Sequence, residues 1–270
     1  MNALSLAGRS PPKRQLGICW TWRLEMTESV VPRAAATVLL VREQPLEVLM
    51  LRRSSRGAFP DAVVFPGGTI DESDLDDAWG ELVTGTAGLS REQQAVRIAG
   101  IRETWEEVGL LICHAGPAPE SLDRSQPFID LVRASGAPLA LDELHYLARW
   151  VTPNSRPRRF DTRFYVSAMP TDQVAIADSR EVISLEWTAP SEALQRADSG
   201  LQPLMPPTRL NLSRLAEHPD LGAVIEATRA RARFVVHPRL TIGADGVQRV
   251  RIPAEAGYGP AGVELELETS

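Results

Sequence analysis

Length, composition and charge restrict the class of protein before any motif is considered. The chain has 270 residues, of which 43% are hydrophobic, so it can bury the core of one domain with extensions or of two small domains. Its net charge of −6 and its pI near 5.4 argue against a general nucleic-acid binder or a membrane-surface binder. The two cysteines, Cys19 and Cys113, provide neither a disulfide framework nor a thiolate metal site, and a reducing cytoplasm is the expected compartment.

The beginning of the chain differs in composition from the rest of it. Basic residues and adjacent prolines mark residues 1–28, and no apolar stretch there is long enough for a signal peptide or a membrane span. We therefore expect these residues to form a weakly ordered N-terminal arm.

Two apolar, β-branched runs, at residues 34–41 and 46–51, predict the first two strands and a hairpin connection between them. Three arginines follow the second run: Arg52, Arg53 and Arg56. A basic group at this point could receive the anionic oxygens of a substrate, and Arg52 is the candidate substrate-binding residue. Ordinary surface charge is the alternative.

A glycine pair follows a third apolar run, at residues 62–64, which predicts another strand. Gly67 and Gly68 allow the backbone to approach a ligand or a helix closely. Acidic side chains that could supply further oxygen ligands come next: Asp71, Glu72 and Asp74.

The most clearly delimited predicted element is a helix that begins near Arg91. Ser90 is a favourable N-cap residue, and Gln93, three positions later, completes a capping box. Gly109 fits the position at which a left-handed residue ends a helix.

This helix has two chemically different faces. At about 100° per residue, Glu103, Glu106 and Glu107 fall on one face. Apolar side chains occupy the opposite face: Ile98, Ile101, Trp105 and Val108. One side of the helix is therefore suited to a protein core, and the other presents a compact anionic patch.

The anionic patch is unfavourable as ordinary surface. Its glutamates are like-charge neighbours on the helix, and Glu106 and Glu107 lie in the last turn, where the helix dipole disfavours carboxylates. A divalent cation would reverse the sign of these interactions, and oxygen ligands of this kind suit Mg²⁺ or Mn²⁺. The alternative is a solvated acidic face in which Arg102 pairs with Glu106.

A second basic group lies in the middle of the chain. Residues 160–166 alternate apolar and polar side chains, which predicts a two-sided strand, and Arg156, Arg158 and Arg159 precede it. Placed over an acidic metal site, Arg156 and Arg159 are candidates to hold phosphates. A basic loop that only balances local acids is equally compatible with the sequence.

The remaining predicted elements are shorter. Residues 110–113 and 181–187 predict strands, and residues 190–196 predict a helix. From residue 199 prolines mark a change in composition, and residues 199–270 predict an extension of helices and short strands that packs against the core or a second subunit. A homodimer is therefore left open.

The strand, glycine loop and acidic helix together resemble the Nudix box, Gx5Ex7REUxEExGU. Its second half matches from Arg102 to Leu110, with Thr104 at an apolar position, and its first half matches at Gly68. Asp74 stands where the family has Glu. Because the interval from Asp74 to Arg102 is longer than the family's, we expect an insertion at about residues 75–89.

The resemblance implies roles for particular residues. The metal ligands would be the box glutamates and one backbone carbonyl: Glu103, Glu106, Glu107 and Gly68. Arg102 would orient one glutamate, and Glu103 or Glu181 would act as general base. The implied cofactor is Mg²⁺ or Mn²⁺.

Within the family, residues 34–187 are similar to the long-insert coenzyme A and acyl-CoA diphosphatases. This similarity implies an α/β/α sandwich with a mixed central sheet at residues 29–198. It also implies metal-dependent hydrolysis of the diphosphate linkage in coenzyme A or acyl-CoA. The alternatives are a pyrophosphatase for ADP-ribose or NADH, and a Nudix-fold binding protein that does not hydrolyse its ligand.

Overall fold

A computed structural model describes residues 30–54, 61–114, 124–259 and 262–266. The predicted N-terminal arm, residues 1–28, and Arg56 lie outside the described residues.

The described residues contain thirteen β-strands and five α-helices. The strands are β1 Arg33–Arg42, β2 Glu47–Arg53, β3 Val63–Val64, β4 Gly67–Thr69, β5 Val83–Thr84, β6 Leu139–Ala140, β7 His145–Val151, β8 Phe160–Ala168, β9 Val182–Thr188, β10 Val235–Val236, β11 Arg239–Ile242, β12 Gln248–Ile252 and β13 Val263–Glu266. The α-helices are α1 Arg91–Val108, α2 Phe128–Ser135, α3 Pro190–Asp198, α4 Pro206–Ala216 and α5 Leu221–Ala230.

The central sheet mixes parallel and antiparallel pairs, as predicted. Its strand order is β10-β7-β8-β1-β2-β3, with β4 also paired to β1 and β9 also paired to β2. The long β1–β8 pair is parallel, as is β7–β10, and the other pairs in this sheet are antiparallel. Strand β1 therefore lies between β8 on one side and β2 and β4 on the other, beside the predicted glycine loop.

Alternating side chains on β1 separate the two layers that cover the sheet. Ala36 and Val38 face α1 and belong to a core cluster with Trp105. Leu39 and Val41 face the other way and belong to a second cluster, which includes residues of the segment after residue 199: Leu210, Leu212, Leu215, Val224, Val236, Val250, Ile252 and Ala256. The predicted α/β/α sandwich is confirmed, and the C-terminal segment packs on its second face.

The residues predicted as an insertion take part in the main core. They follow a short 3-10 helix, Glu72–Leu75, and form a second one, Asp77–Glu81, and then β5, which pairs in parallel with β6. Trp79 is buried, and its ring centroid lies 5.8 Å from that of Phe128 on α2. The division at residues 28, 75–89 and 198 stays a prediction.

One predicted strand is wrong. Leu110, Leu111 and Ile112 are buried, but among the described residues the segment 110–113 makes only an isolated bridge, from Cys113 to Leu139. The side-chain amide of Gln173 forms two hydrogen bonds with the backbone of Leu111. It accepts the Leu111 N–H at 2.7 Å and donates to the Leu111 carbonyl at 2.9 Å. A side chain thus occupies the place of a neighbouring strand.

In the described part of the chain, no helix is long and apolar enough to cross a membrane.

Candidate active site

Helix α1 begins and ends where the sequence predicts. The Ser90 hydroxyl accepts the Gln93 N–H at 3.2 Å, and the Gln93 side chain accepts the Ser90 N–H at 2.9 Å, so both halves of the capping box form. Gly109 ends the helix in the left-handed region, with φ 71°. Between these ends, Ile98, Ile101, Trp105 and Val108 pack in the core.

Arg102 forms hydrogen bonds to several residues of the site and is only 5% exposed. Its guanidinium binds the Asp74 carboxylate with two hydrogen bonds, of 2.9 and 3.0 Å. It also donates to Glu103 at 3.1 Å, to Glu106 at 3.0 Å and to the Thr69 carbonyl at 2.9 Å. The predicted orienting role of Arg102 is compatible with this geometry, and Arg102 holds two glutamates rather than one.

Asp74 fills the place of the family's Glu as the buried partner of Arg102. It is 2% exposed and also accepts the Asp71 N–H at 2.8 Å. Burial alone would lower the pKa of Arg102, but the hydrogen bonds that Arg102 donates to Asp74 and the charges of Glu103, Asp74 and Glu106 outweigh burial and raise that pKa. Arg102 is therefore permanently charged.

Glu107 is held from the other side, by the glycine loop and by β2. Its carboxylate accepts the Gly67 N–H at 2.9 Å and a guanidinium N–H of Arg53 at 3.1 Å. The second Arg53 nitrogen donates to Glu181 at 3.2 Å. Arg53 thus links a glutamate of the box helix to the late glutamate that the family resemblance implicates.

Gly68 is required by the close approach of Glu103. A Cβ at position 68 would lie 2.3 Å from the Glu103 carboxyl group, closer than any side chain can pack. A side chain at position 68 would therefore displace the Glu103 carboxyl group from its place beside the loop.

The carboxylates of the site carry poorly compensated charge. Burial raises the pKa of Glu103 to about 7 and that of Glu107 to about 8, in each case against the pull of a nearby arginine. Burial also raises the pKa of Glu106. Neighbouring carboxylates contribute in the same direction. The charged forms lack enough positive charge around them.

The donor set fits a divalent cation. Glu103, Glu106 and Glu107 could offer hard oxygen ligands from one helix, and a cation among them would offset the burial and repulsion that raise their pKa values. Among the described residues, no three Asp, Glu, His or Cys side chains already stand together as a metal site. The reason is visible in the contacts, because Arg102, Arg53 and the Gly67 N–H each hold one or more of these carboxylates.

The loop before β9 joins the end of α1 to Glu181. The Ile176 and Asp178 N–H groups donate to the carbonyls of Val108 and Glu107, at 2.8 and 3.2 Å. The buried Asp178 carboxylate accepts the N–H groups of Glu181 and Val182, so Asp178 shapes the turn. The Glu181 side chain is 66% exposed and lines the cleft with the box glutamates.

A cleft of about 1280 Å³ runs past these carboxylates. Several arginines line it: Arg33, Arg53, Arg102, Arg124, Arg156, Arg158 and Arg180. The pKa of Arg156 is lowered to about 10 by burial. An acidic protein therefore concentrates basic side chains around its acidic cluster.

Two of the three predicted substrate-binding arginines do not line this cleft. Strand alternation on β2 leaves Arg52 exposed on the other side and brings the neighbouring Arg53 into the cleft lining. Arg159 is buried and donates to the carbonyls of Thr152 and Val30, at 3.1 and 2.6 Å, which makes it a structural residue. Arg156 does line the cleft.

Comparison with known proteins agrees with this geometry. Residues 89–215 match the family model described as the NUDT19 Nudix domain. A relative from Gallus gallus, named acyl-coenzyme A diphosphatase NUDT19, is 29% identical over 74% of this chain and 72% of its own length. The protein of that name from Homo sapiens is 27% identical over 78% of this chain and 72% of its own length. The crystal structure of a NUDIX hydrolase from Alicyclobacillus acidocaldarius is 28% identical with a TM-score of 0.62, and the match covers 75% of this chain and 97% of that one.

The sandwich, the carboxylate face of α1 and these matches together make the chain similar to the Nudix hydrolases. Among these proteins, it is similar to the branch that the NUDT19 Nudix domain describes. The resemblance predicted from the sequence is confirmed at this level.

Proposed function

We propose that the chain hydrolyses the diphosphate linkage of coenzyme A or an acyl-CoA, with Mg²⁺ or Mn²⁺ as cofactor. The observation that carries the proposal is the cluster of Glu103, Glu106 and Glu107 facing a cleft bordered by arginines. The relatives named acyl-coenzyme A diphosphatase support the choice of substrate class.

The bond to be broken determines what the site must do. Water forms a new bond to one phosphorus, the bond from that phosphorus to the bridging oxygen breaks, and the electron pair stays on the leaving phosphate. The products are a phosphopantetheine, acylated or free, and 3′,5′-ADP, and one proton of the water passes to a base. Attack is slow without help because both phosphorus centres carry negatively charged oxygens.

Glu103, Glu106 and Glu107 would hold the metal, with the Gly68 carbonyl as a further oxygen ligand. When bound, the metal neutralises phosphate charge and makes a coordinated water more acidic. Arg102 keeps Glu103 and Glu106 on the cleft side of α1, and Asp74 keeps Arg102 in place. The arginines that line the cleft bind the remaining phosphate oxygens, with Arg156 as the half-buried example.

Glu103 and Glu181 are both candidates for the base that takes the proton from water. Glu103 is held by Arg102 at 3.1 Å, and Glu181 is held by Arg53 at 3.2 Å but is mostly exposed to the cleft. Replacing each with Gln separates them, because loss of the base removes the acidic limb of the pH–rate profile. Loss of a metal ligand instead raises the metal concentration that half-saturates the enzyme.

A substrate panel tests the proposal. Purified protein is incubated with CoA, acyl-CoAs, NADH, ADP-ribose and dinucleoside polyphosphates, with Mg²⁺ or Mn²⁺ and with EDTA as control, and the products are identified by mass. We expect 3′,5′-ADP from CoA or acyl-CoA in the presence of metal only. Faster turnover of ADP-ribose or NADH than of any CoA compound would contradict the substrate, and binding without turnover of any compound would contradict hydrolysis.

A further inference from the structure

The cleft continues from the carboxylate cluster to the opposite face of the central sheet. In register, Thr37 on β1 lies beside Gly67 on β4 and beside Phe164 on β8. The next residue back, Ala36, points to the α1 side, where its Cβ lies 3.2 Å from a Cβ built on Gly100. Thr37 and Phe164 therefore point away from α1, and both line the same cleft as the box glutamates.

This far part of the cleft, which we call the apolar end, has a different chemistry from the carboxylate cluster. Its residues come from β7, β8, β12, the start of α4 and the turn before β11: Trp150, Phe164, Met205, Pro206, Pro238 and Val250. Among the described residues, those after residue 199 contribute no charged side chain to the lining of the cleft. The carboxylates that line it come from earlier parts of the chain.

A buried polar network holds the wall of the apolar end in place. The Trp150 indole N–H donates to the Tyr258 hydroxyl at 2.9 Å, and that hydroxyl donates to the Asn211 side chain at 2.9 Å. The Arg214 guanidinium lies over the Tyr258 ring, 3.7 Å from its centroid, and donates to the Leu147 carbonyl at 3.0 Å. Because its wall is fixed by the C-terminal segment, the apolar end exists before a ligand arrives.

The size of the cleft indicates a long ligand. Its volume of about 1280 Å³ exceeds the roughly 300–1,000 Å³ of typical small-molecule sites. If the diphosphate of a ligand binds at the carboxylate cluster, an uncharged part of the same ligand can occupy the apolar end. We propose that the apolar end binds the acyl chain of an acyl-CoA, so that Met205 and its neighbours favour acyl-CoA over free CoA. This inference rests on the proposed function and names the selecting surface of the same site.

The acyl-chain dependence of binding and turnover tests the inference. Kd is measured for CoA, acetyl-CoA, octanoyl-CoA and lauroyl-CoA on the Glu106→Gln variant, which should slow turnover strongly, and KM and kcat are measured on the enzyme with its box intact. Each methylene that is fully buried should tighten binding by up to about fourfold. We therefore expect at least a tenfold gain from CoA to octanoyl-CoA.

Met205 offers a direct perturbation, since its side chain lines the cleft while its backbone carbonyl accepts the Arg209 N–H at the start of α4. Met205→Trp fills the apolar end, and Met205→Ser removes apolar contact without adding bulk. Both should raise KM for octanoyl-CoA about tenfold and raise KM for CoA by a smaller factor, so the preference for octanoyl-CoA over CoA should fall. Leu201→Trp is the control, because Leu201 is 76% exposed and lies outside the lining.

The outcomes separate this inference from the proposed function. If CoA and acyl-CoA bind equally well, or if both Met205 variants change both substrates to the same extent, the apolar end does not hold the acyl chain. Failure to hydrolyse any diphosphate contradicts the proposed function, and the binding series on its own still decides whether the acyl chain is recognised. A gain with chain length that both Met205 variants abolish supports the inference.

Discussion

The two ends of α1 differ in how their unfavourable electrostatics are compensated. At its N-terminus, Ser90 and Gln93 satisfy the free N–H groups within three residues of one another. At its C-terminus, Glu106 and Glu107 lie where the dipole disfavours them, and their partners Arg102 and Arg53 carry much of the compensation. Arg102 in turn depends on Asp74, which is 28 positions away in the chain.

The contrast shows where the fold accepts an unfavourable arrangement. The N-terminal end is stable by itself, so changing it should affect stability alone. The C-terminal end keeps raised carboxylate pKa values that a more ordinary surface helix would avoid, which is typical of a functional site. Changes there should affect metal response and activity first.

The largest expected effect concerns the glutamates at the C-terminal end. Glu106→Gln and Glu107→Gln should each lower kcat/KM for the best diphosphate substrate by about 10²–10³-fold, because each removes a charged ligand from a metal that supplies several kcal/mol of charge stabilisation. Steady-state kinetics with saturating Mg²⁺ measure the loss. Glu226→Gln, an exposed carboxylate on α5, is the control and should leave activity unchanged.

At the C-terminal end of α1, the ion pair between Arg102 and Asp74 should make the largest contribution to the free energy of unfolding. Arg102→Ala leaves the buried Asp74 carboxylate without its guanidinium and should lower the free energy of unfolding by about 3–5 kcal/mol. Urea denaturation measures the change. Adding Asp74→Asn to Arg102→Ala should lose clearly less than the sum of the two single changes. Additive losses would show that the two residues act independently.

Metal should stabilise the protein through the same end of the helix. At a metal concentration about 100 times Kd, binding to the folded state adds about 2.7 kcal/mol. Thermal unfolding with and without Mg²⁺ or Mn²⁺ should therefore give a clear rise in Tm for the wild type and a much smaller one for Glu107→Gln. An equal rise in Tm for both proteins would indicate that the cation binds at another site.

The smallest effect is expected at the N-terminal end. Ser90→Ala removes the side-chain acceptor for the Gln93 N–H and should cost about 1 kcal/mol of stability. Activity per folded molecule should be unchanged, as measured by kcat at a temperature well below Tm. A loss of activity comparable to that of Glu106→Gln would remove the distinction between the two ends.

Local patterns were sufficient to predict the helix and its faces. Capping residues, a terminal glycine and the apolar spacing are all contained in one stretch of sequence, so the bounds of α1 and the burial of Ile101 and Trp105 can be inferred from that stretch alone. Parallel pairing of β1 with β8 is a different matter. It joins residues more than a hundred positions apart, and no short-range pattern encodes that neighbour.

The arginines show where sequence reasoning about the site was limited. A run of two or three basic residues gives no clue to which side chain turns inward until the strand register is known. Extending the strand alternation of β2 by one residue would have predicted that Arg53, and not Arg52, points toward the cleft. Arg159 gave no such signal, because its partners are backbone carbonyls of Thr152 and Val30.

The side-chain amide of Gln173 is hydrogen-bonded to both the N–H and the carbonyl of Leu111, and this contact affects solubility as well as folding. A run of apolar residues with an open N–H and C=O is a template on which another molecule can add a strand, and such edges nucleate aggregation. Here a single side chain blocks that template beside Leu110 and Ile112. In the folded chain, Gln173 therefore closes the backbone of Leu111 to the addition of another strand.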